Sequence, residues 1–493
     1  MIFPSLAQAK ELCTNANRIP MKMELYADTM TPVVAVRRLK QASHHCFLLE
    51  SAEQSRRWGR YSFLGYDPEL EITCQNGVVK ITAGKTVTTE QTQHPGNRIR
   101  SILNENKAPR LEGMPPFSGG LVGYFSYDYM KYSEPSLQLD AKDEEAFQDA
   151  DLMLFDKVIA FDHYRQKIMI IVNIKTEHLD ESYRQGEQTL RETAALLLSG
   201  SLAENPPLKL KSEFRYLFDK QRYCEIVEKG KQYIREGDIF QVVLSNRMEA
   251  DMEGSLFDTY RILRTSNPSP YMFYFSSDQI EIAGASPETL VKLEDGMLHT
   301  FPLAGTRKRG DTQEEDLALE RSLLADEKER AEHNMLVDLG RNDLGKISKI
   351  GSVEVEKYMC IERFSHVMHI GSTVRGRIED GKDALDAVDA VLPAGTLSGA
   401  PKLRACEIIN ELEQNKRGIY GGAIGYIDFT GNLDTCIAIR IAFAKNGKVF
   451  VRSGAGIVAD SVPEMEFAEC ENKARAVIQA LQEAEGGIDK AID

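Results

Sequence analysis

Apolar positions along the chain fall into short β-type runs joined by tight turns and longer runs with helical spacing. Asn76-Gly77 separates Glu71-Ile-Thr-Cys74 from Val78-Val-Lys-Ile-Thr82, and Asn446-Gly447 separates Cys436–Lys445 from Lys448-Val-Phe-Val451. Asp295-Gly296 makes a third joint, between Thr289–Leu293 and Met297–Phe301. Asn-Gly and Asp-Gly accept the positive φ that two-residue hairpins require, so each joint predicts an antiparallel pair. Helical spacing runs from Leu179 to Leu198 and again from about Gln221 to Glu236. Between them lie Ser199-Gly200-Ser201 and Asn205-Pro206-Pro207. Pro-Pro cannot continue a helix, so this stretch is a seam between an N-terminal part, 1–200, and a C-terminal part, 213–493. Strands arriving as hairpins disfavour doubly wound and barrel folds. The expected class is α+β, with large antiparallel sheets in a sandwich-like core flanked by helices and two intertwined parts.

Two further helical runs carry carboxylates. One opens at Thr312-Gln-Glu-Glu315, a capping-box pattern, and runs through Glu329 and Glu332 to Gly340. The other opens at Ser461-Val-Pro-Glu464 and runs past Glu466 and Glu469 toward Gly486. On it Phe467, Cys470, Ala474, Val477, Ile478 and Leu481 form an apolar stripe beside the two glutamates. Spacing of i, i+3 puts each pair on one helix face. Two such pairs suit a hard cation such as Mg²⁺, which takes oxygen ligands; a solvated surface face is the ordinary alternative.

The 493 residues carry 60 Lys plus Arg against 75 Asp plus Glu, a formal net charge of −15. With 42% hydrophobic residues the chain has enough apolar surface for a full core, which excludes a disordered or fibrous protein. The acidic balance argues against a nucleic-acid binder but leaves room for a basic pocket taking a small anion. No stretch approaches the ~20 apolar residues of a membrane span, and the start lacks the pattern of a signal peptide. The eight cysteines are scattered without a Cys-x-x-Cys pair, which suits reduced thiols in a cytoplasm.

Glycines cluster late in the chain, at Gly421-Gly422, Gly425 and Gly454-Ala455-Gly456, all expected at strand ends. Ala394-Gly-Thr-Leu-Ser-Gly-Ala-Pro401-Lys402 precedes a helix, with Pro401 expected in its first turn. Turn chemistry explains any one glycine, but several beside Arg440 make a carboxylate pocket, since guanidinium is a planar fork for that group. No Walker A or Rossmann pattern is present, so a nucleotide cofactor is not supported. His366 and His369 sit three apart, which on a strand sends them to opposite faces. Trp58, among Arg56, Arg57 and Arg60, reads as a packing residue.

Longer motifs carry a resemblance. Gly237-Asp-Ile-Phe-Gln-Val-Val-Leu-Ser245, Asn267-Pro-Ser-Pro-Tyr-Met-Phe273, Ala285-Ser-Pro-Glu288, Pro302-Leu-Ala-Gly-Thr306, Glu332-His-x-Met-Leu-Val-Asp-Leu-x-Arg341-Asn-Asp and Gly395-Thr-Leu-Ser-Gly-Ala-Pro-Lys402 occur in order, followed by Asp434-Thr-Cys-Ile437. From about Leu48 to Ala480 the chain resembles the chorismate-utilising enzymes, their anthranilate-forming branch above all. The resemblance implies that Glu332 and Glu469 bind Mg²⁺, with Glu329 and Glu466 nearby. It implies that Gly305, Thr306, Tyr420, Arg440 and Gly454-Ala455-Gly456 contact chorismate. It also makes Glu288 the general acid and His369 the active-site histidine. The implied reaction adds ammonia to chorismate and eliminates pyruvate to give anthranilate. Isochorismate-forming relatives carry a lysine where this chain has Gln241. Aminodeoxychorismate-forming relatives often carry a nucleophilic lysine where it has Ala304.

No Gly-x-Cys-x-Gly nucleophile elbow is present, so the resemblance implies a glutamine amidotransferase partner that supplies ammonia, in a heterotetramer. Leu48-Leu-Glu50-Ser51 together with Pro270-Tyr271-Met272 resembles the family's L-tryptophan feedback site. Two other functions remain open here: an aminodeoxychorismate-forming subunit, and a non-catalytic tryptophan-binding regulatory subunit.

Overall fold

The computed structural model describes residues 2–52, 59–363 and 367–488; Trp58 and His366 lie outside them. Among the described residues the strands assemble into two sheets, of 14 and 12 strands. Each sheet draws on both sides of the seam. In the first, Cys46–Glu50 pairs antiparallel with Tyr271–Ser276; in the second, Gly120–Phe125 pairs antiparallel with Ala423–Asp428. The fold is α+β, as the hairpin pattern requires.

Side chains alternate across the strands because the β repeat is two. On Cys46–Glu50, Cys46 and Leu48 face the helices while Phe47 points between the sheets. Lys167–Lys175 repeats this, with Ile168, Ile170 and Val172 outward and Met169 and Ile171 inward. The inner layer is aromatic: Phe47 meets Phe155 edge-on at 4.8 Å, and Phe147 meets Phe443 at 5.4 Å. Helices Leu179–Ser199, Phe257–Ser266 and Pro463–Glu483 cover the outer face of the first sheet. Pro95–Glu105, Glu327–Gly345 and Ala384–Val391 cover the second. With both faces covered, many strands read as continuous apolar runs.

All three expected hairpins form, each with positive φ at both turn residues. Four boundaries differ from the sequence reading. The run from Thr312 is two helices, Gln313–Ala325 and Glu327–Gly345, because the Asp326 side chain accepts from the amides of Lys328 and Glu329 and starts a new helix. Val462, not Ser461, caps Pro463–Glu483, while the Ser461 hydroxyl accepts from the Val458 amide. Pro401 is the N-cap of Lys402–Glu413, one position before the first turn. Gly425 lies inside strand Ala423–Asp428, where an added Cβ would meet the Asp434 carbonyl at 2.0 Å.

The run Cys436–Lys445 also breaks, with consequences for the site. Leu433–Ile437 belongs to the second sheet and Ile441–Lys445 to the first, so the chain changes sheets across Ala438–Arg440. A second crossing lies between Glu281–Ser286 in the first sheet and Thr289–Glu294 in the second. That crossing contains Glu288. The Ile437 amide donates to the Glu288 carbonyl at 2.9 Å, which ties the two crossings together.

Candidate active site

Glu288 and Arg440 both lie outside the named strands, each where the chain crosses from one sheet to the other. The Thr396 hydroxyl donates to Glu288 Oε1 at 3.0 Å. Burial pushes the Glu288 carboxyl up to about 7, and neither Thr396 nor the more distant Lys473 offsets it. Leu336, Leu339, Asp343 and Ala394 line the cavity behind Glu288 and Thr396. A carboxyl with one donor in an apolar surround holds its proton near neutrality.

Arg440 takes φ 54, a left-handed conformation that costs an arginine about 1–3 kcal/mol and is typical of functional positions. Burial lowers its pKa, and among the described residues no carboxylate lies within ion-pair distance of it. A half-buried guanidinium without an anion is a binding site for one. Beside it runs Lys448–Ile457. Ile441–Lys445 accompanies that strand only as far as the Ala442–Val451 pair. On its other side Val243 and Ser245 direct their amides away, to the Ser398 carbonyl and the Glu413 carboxylate. Their cross-strand partners Gly456 and Gly454 therefore turn their own backbone groups toward the vacated side. Glycine at 454 is required by close packing, since an added Cβ would sit 3.0 Å from the Tyr420 hydroxyl. Gln241 lies over Gly456, its Nε2 2.7 Å from where a Cβ would be.

The opposite wall comes from the second sheet. Leu303–Lys308 slips register against Val367–Arg377 between Ala304 and Arg307. Gly305, at φ 66, makes that bulge possible and passes close to Leu323 and Glu329. The bulge brings the Gly305 carbonyl 2.7 Å from His369 Nδ1, with the Thr306 hydroxyl at 3.2 Å. A carbonyl only accepts, so Nδ1 carries the proton and Nε2 the lone pair. Burial lowers the His369 pKa; the Gly305 carbonyl and Glu329 oppose this and Arg440 reinforces it, so the neutral ring is favoured.

The two glutamate pairs face each other from Glu327–Gly345 and Pro463–Glu483. Burial raises the Glu332 pKa, and Glu329 and Glu469 raise it further. Burial likewise raises that of Glu466, with Glu469 adding to it and Ser461 opposing. Glu469 is bridged to Lys473 at 2.6 Å, and Lys473 also donates to the Gly454 carbonyl at 3.0 Å. Carboxylates that raise one another's pKa across two helices mark a place where a cation is stabilised, and an all-oxygen set fits Mg²⁺. The four are spread more widely than a closed cage, which suits an ion that keeps waters and substrate oxygens.

A buried ion cluster supports the first wall, and the sequence reading missed it. Glu413 Oε1 accepts from Arg417 at 2.5 Å, and its Oε2 accepts from Arg452 at 2.8 Å. Arg417 also donates to the carbonyls of Leu397 and Val243, and lies over the rings of Tyr127 and Tyr420. Burial would raise the Glu413 pKa, but the two guanidiniums hold it low. One carboxylate between two guanidiniums leaves a net positive charge beneath Tyr420. Thr396, Lys473 and Arg307, which pairs with Glu329 at 3.6 Å, were missed as well. The i, i+4 spacings of Glu413 to Arg417 and Glu469 to Lys473 were the only sequence signal, and such pairs are usually on the surface.

The expected effector residues lie at the far end of Cys46–Glu50. Glu50 accepts from Ser62, Tyr260 and Arg264, the last at 2.8 Å. Register pairs Glu50 with Met272, so both face the helix side. Tyr271 points the other way, its hydroxyl 2.8 Å from Asp434 Oδ1 and 3.0 Å from the Thr289 hydroxyl. Pro270 is buried just before that strand, and the Ala52 amide, next to Ser51, donates to Ser269.

Residues 44–479 match the family model for a chorismate binding enzyme. The chain belongs to that family. Within it, this chorismate binding enzyme is 46% identical to anthranilate synthase component 1 of Acetivibrio thermocellus, over 98% of this chain and 99% of that one. It is 45% identical to the Aquifex aeolicus (strain VF5) protein of the same name, over 98% of each. A crystal structure of anthranilate synthase component I from Streptococcus pneumoniae TIGR4 superposes with a TM-score of 0.76 at 38% identity, covering 92% of this chain and 98% of that one. The menaquinone-specific isochorismate synthase of Escherichia coli shares the fold, with a TM-score of 0.70 at 18% identity, covering 97% of this chain and 99% of that one.

Proposed function

We propose that this chain catalyses the anthranilate synthase reaction: chorismate and ammonia become anthranilate, pyruvate and water, at the first step from chorismate toward tryptophan. It is an enzyme of the chorismate binding family. The observation that carries the reading is a pair of groups at the two crossings between sheets: Glu288, a carboxyl pushed up to about 7 by burial, and Arg440, a guanidinium that among the described residues has no carboxylate partner. Arg440 and the backbone of Gly454-Ala455-Gly456 receive substrate carboxylate, and Tyr420 and Thr306 shape the cavity around it. Glu288 gives its proton to the departing C4 hydroxyl as ammonia adds at C2 and the ring double bonds shift between them. His369, its Nδ1 proton held by Gly305, presents Nε2 to take up a proton as the enolpyruvyl group leaves. Glu332 and Glu469 would hold Mg²⁺, with Glu329 and Glu466 behind them. The ion, when bound, offsets substrate carboxylate charge.

We infer further that ammonia comes from a glutamine amidotransferase subunit in a heterotetramer, and that L-tryptophan binds around Glu50, Ser51, Pro270, Tyr271 and Met272 and inhibits. Eight unpaired thiols support a cytoplasmic setting. Among the described residues no helix is long and apolar enough to cross a membrane.

The test is direct. Purified chain with chorismate, Mg²⁺ and an ammonium salt should generate anthranilate fluorescence without a partner. A product that keeps its enolpyruvyl group would assign the chain to aminodeoxychorismate formation instead. Glu469→Ala should abolish Mg²⁺-dependent turnover with an unchanged circular dichroism spectrum. Near-normal rates in that variant would remove Glu469 from the metal site.

A further inference from the structure

One cluster of metal-type donors lies away from the chamber. His44 and His45 immediately precede strand Cys46–Glu50, and Asp278 sits in the turn joining Tyr271–Ser276 to Glu281–Ser286. Because register pairs Cys46 with Ser276, the two segments leave the sheet side by side. Both imidazoles turn Nε2 to the same carboxylate. His44 Nε2 contacts Oδ1, and His45 Nε2 is 3.6 Å from Oδ2. The ring centroids are 4.3 Å apart. Among the described residues this is the one group of three His, Cys, Asp or Glu donors whose ligand atoms all lie within 4.8 Å of one another.

The surroundings add negative charge from behind. Glu71 feels both His45 and Asp278, and it shares a hydrogen bond with buried Asp151 on the neighbouring strand. Lys80 is the opposing cation within reach of Glu71 and Asp278. Two imidazole nitrogens and one carboxylate form the donor set of zinc, at Zn–N distances of about 2.0–2.1 Å with water in the fourth position. Magnesium prefers oxygen donors, so this site and the glutamate quartet select different ions.

We propose that His44, His45 and Asp278 bind a borderline divalent transition cation of the Zn²⁺ type. The cation takes the place of the hydrogen-bonding proton between imidazole and carboxylate and is held by three protein donors. It fastens the turn at Asp278 to the segment that leads into Cys46–Glu50. The Glu50–Met272 pair lies four residues beyond the Cys46–Ser276 pair on the same two strands, on the order of 13 Å further along the sheet.

The experiment uses the full chain stripped of metal with a chelator. Zn²⁺ is titrated in competition with a chromophoric chelator, and Co²⁺ binding is followed by visible absorption. One equivalent of Zn²⁺ is expected, Co²⁺ gives the intense bands of tetrahedral nitrogen and oxygen ligation, and excess Mg²⁺ displaces neither. His44→Ala and Asp278→Asn should each weaken Zn²⁺ binding on the order of tenfold or more. Both side chains are mostly exposed, at 60% and 65%, so folding and the anthranilate-forming rate are expected to stay at the parent's level. The double variant Glu332→Gln/Glu469→Gln should keep the zinc site. Unchanged titration in His44→Ala overturns the proposal. So does loss of the site in the double glutamate variant, or a thiolate-to-cobalt charge-transfer band, which would assign the ion to exposed Cys360.

Discussion

Glu50 and Glu288 are the same side chain on closely connected strands, and the protein treats them in opposite ways. Glu50 ends Cys46–Glu50; Glu288 lies two residues past Glu281–Ser286; strand Tyr271–Ser276 runs between those two and pairs with both. The Glu50 carboxylate accepts from two hydroxyls and a guanidinium. Among the described residues Glu288 accepts from one hydroxyl, that of Thr396, and burial pushes it up to about 7. Burial is common to both, so the number of donors separates an anchor from an acid. The two groups should therefore respond oppositely to the same substitution.

The larger effect belongs to Glu288→Gln. Loss of a positioned general acid lowers kcat by roughly 10²–10⁴-fold, measurable as anthranilate fluorescence at saturating chorismate. The parent's rate should fall as pH rises through about 7, where Glu288 loses its proton, and the residual rate of the variant should lack that limb. Stability should move the other way. Between the ordinary glutamate range and about pH 7 the folded chain holds a proton that the unfolded chain releases, so stability falls as pH rises across this window. The loss reaches about 3 kcal/mol at most, and the uncharged amide of the variant escapes it. The variant should melt higher than the parent at pH 8 without Mg²⁺ or substrate. A lower melting temperature would mean that Glu288 is held by donors as Glu50 is.

Glu50→Gln should give the reverse pattern. Its amide nitrogen replaces an acceptor with a donor against Arg264 and Tyr260, which leaves a buried donor unmatched and costs about 1–3 kcal/mol. Turnover without tryptophan should stay near the parent's, since Glu50 touches none of the chamber residues. If this variant loses activity as completely as Glu288→Gln, the two regions are not separable.

The same contrast explains what could be read from sequence. The hairpins at Asn76-Gly77, Asp295-Gly296 and Asn446-Gly447 were legible because each turn is decided by two residues and their φ angles. Helix existence was legible from spacing, but the break at Asp326 was not, because a capping aspartate inside an apolar-periodic run looks like any surface acid. Glu288 and Arg440 could be singled out only through long motifs; spacing alone does not reveal that both lie where the chain changes sheets. Glu413, Arg417 and Arg452 were invisible for a related reason. Their burial is created by three elements that meet only in the folded chain, while locally Glu413 and Arg417 look like an exposed i, i+4 pair.

The smallest expected effect tests whether the two regions communicate. Tyr271 neighbours Met272 on the side proposed for the effector, yet its hydroxyl reaches Thr289, next to Glu288, and Asp434 across the interior. Asp434 is buried with its pKa raised by that burial, and the Tyr271 hydroxyl works to lower it. Tyr271→Phe removes the hydroxyl and keeps the ring, so strand packing and the Glu50 cluster stay in place. Turnover without tryptophan should change little, because neither Glu288 nor Thr396 loses a partner. If tryptophan binding and chorismate binding are coupled through this strand, the coupling should weaken by about 0.5–2 kcal/mol, roughly 2–30-fold in the half-inhibitory tryptophan concentration. Reciprocity demands the same factor in the effect of chorismate on tryptophan affinity, measured by equilibrium binding. Unchanged inhibition with intact binding at both sites would show that the hydroxyl bridge carries no coupling, and that the signal runs through the backbone pairing of Glu50 with Met272 instead.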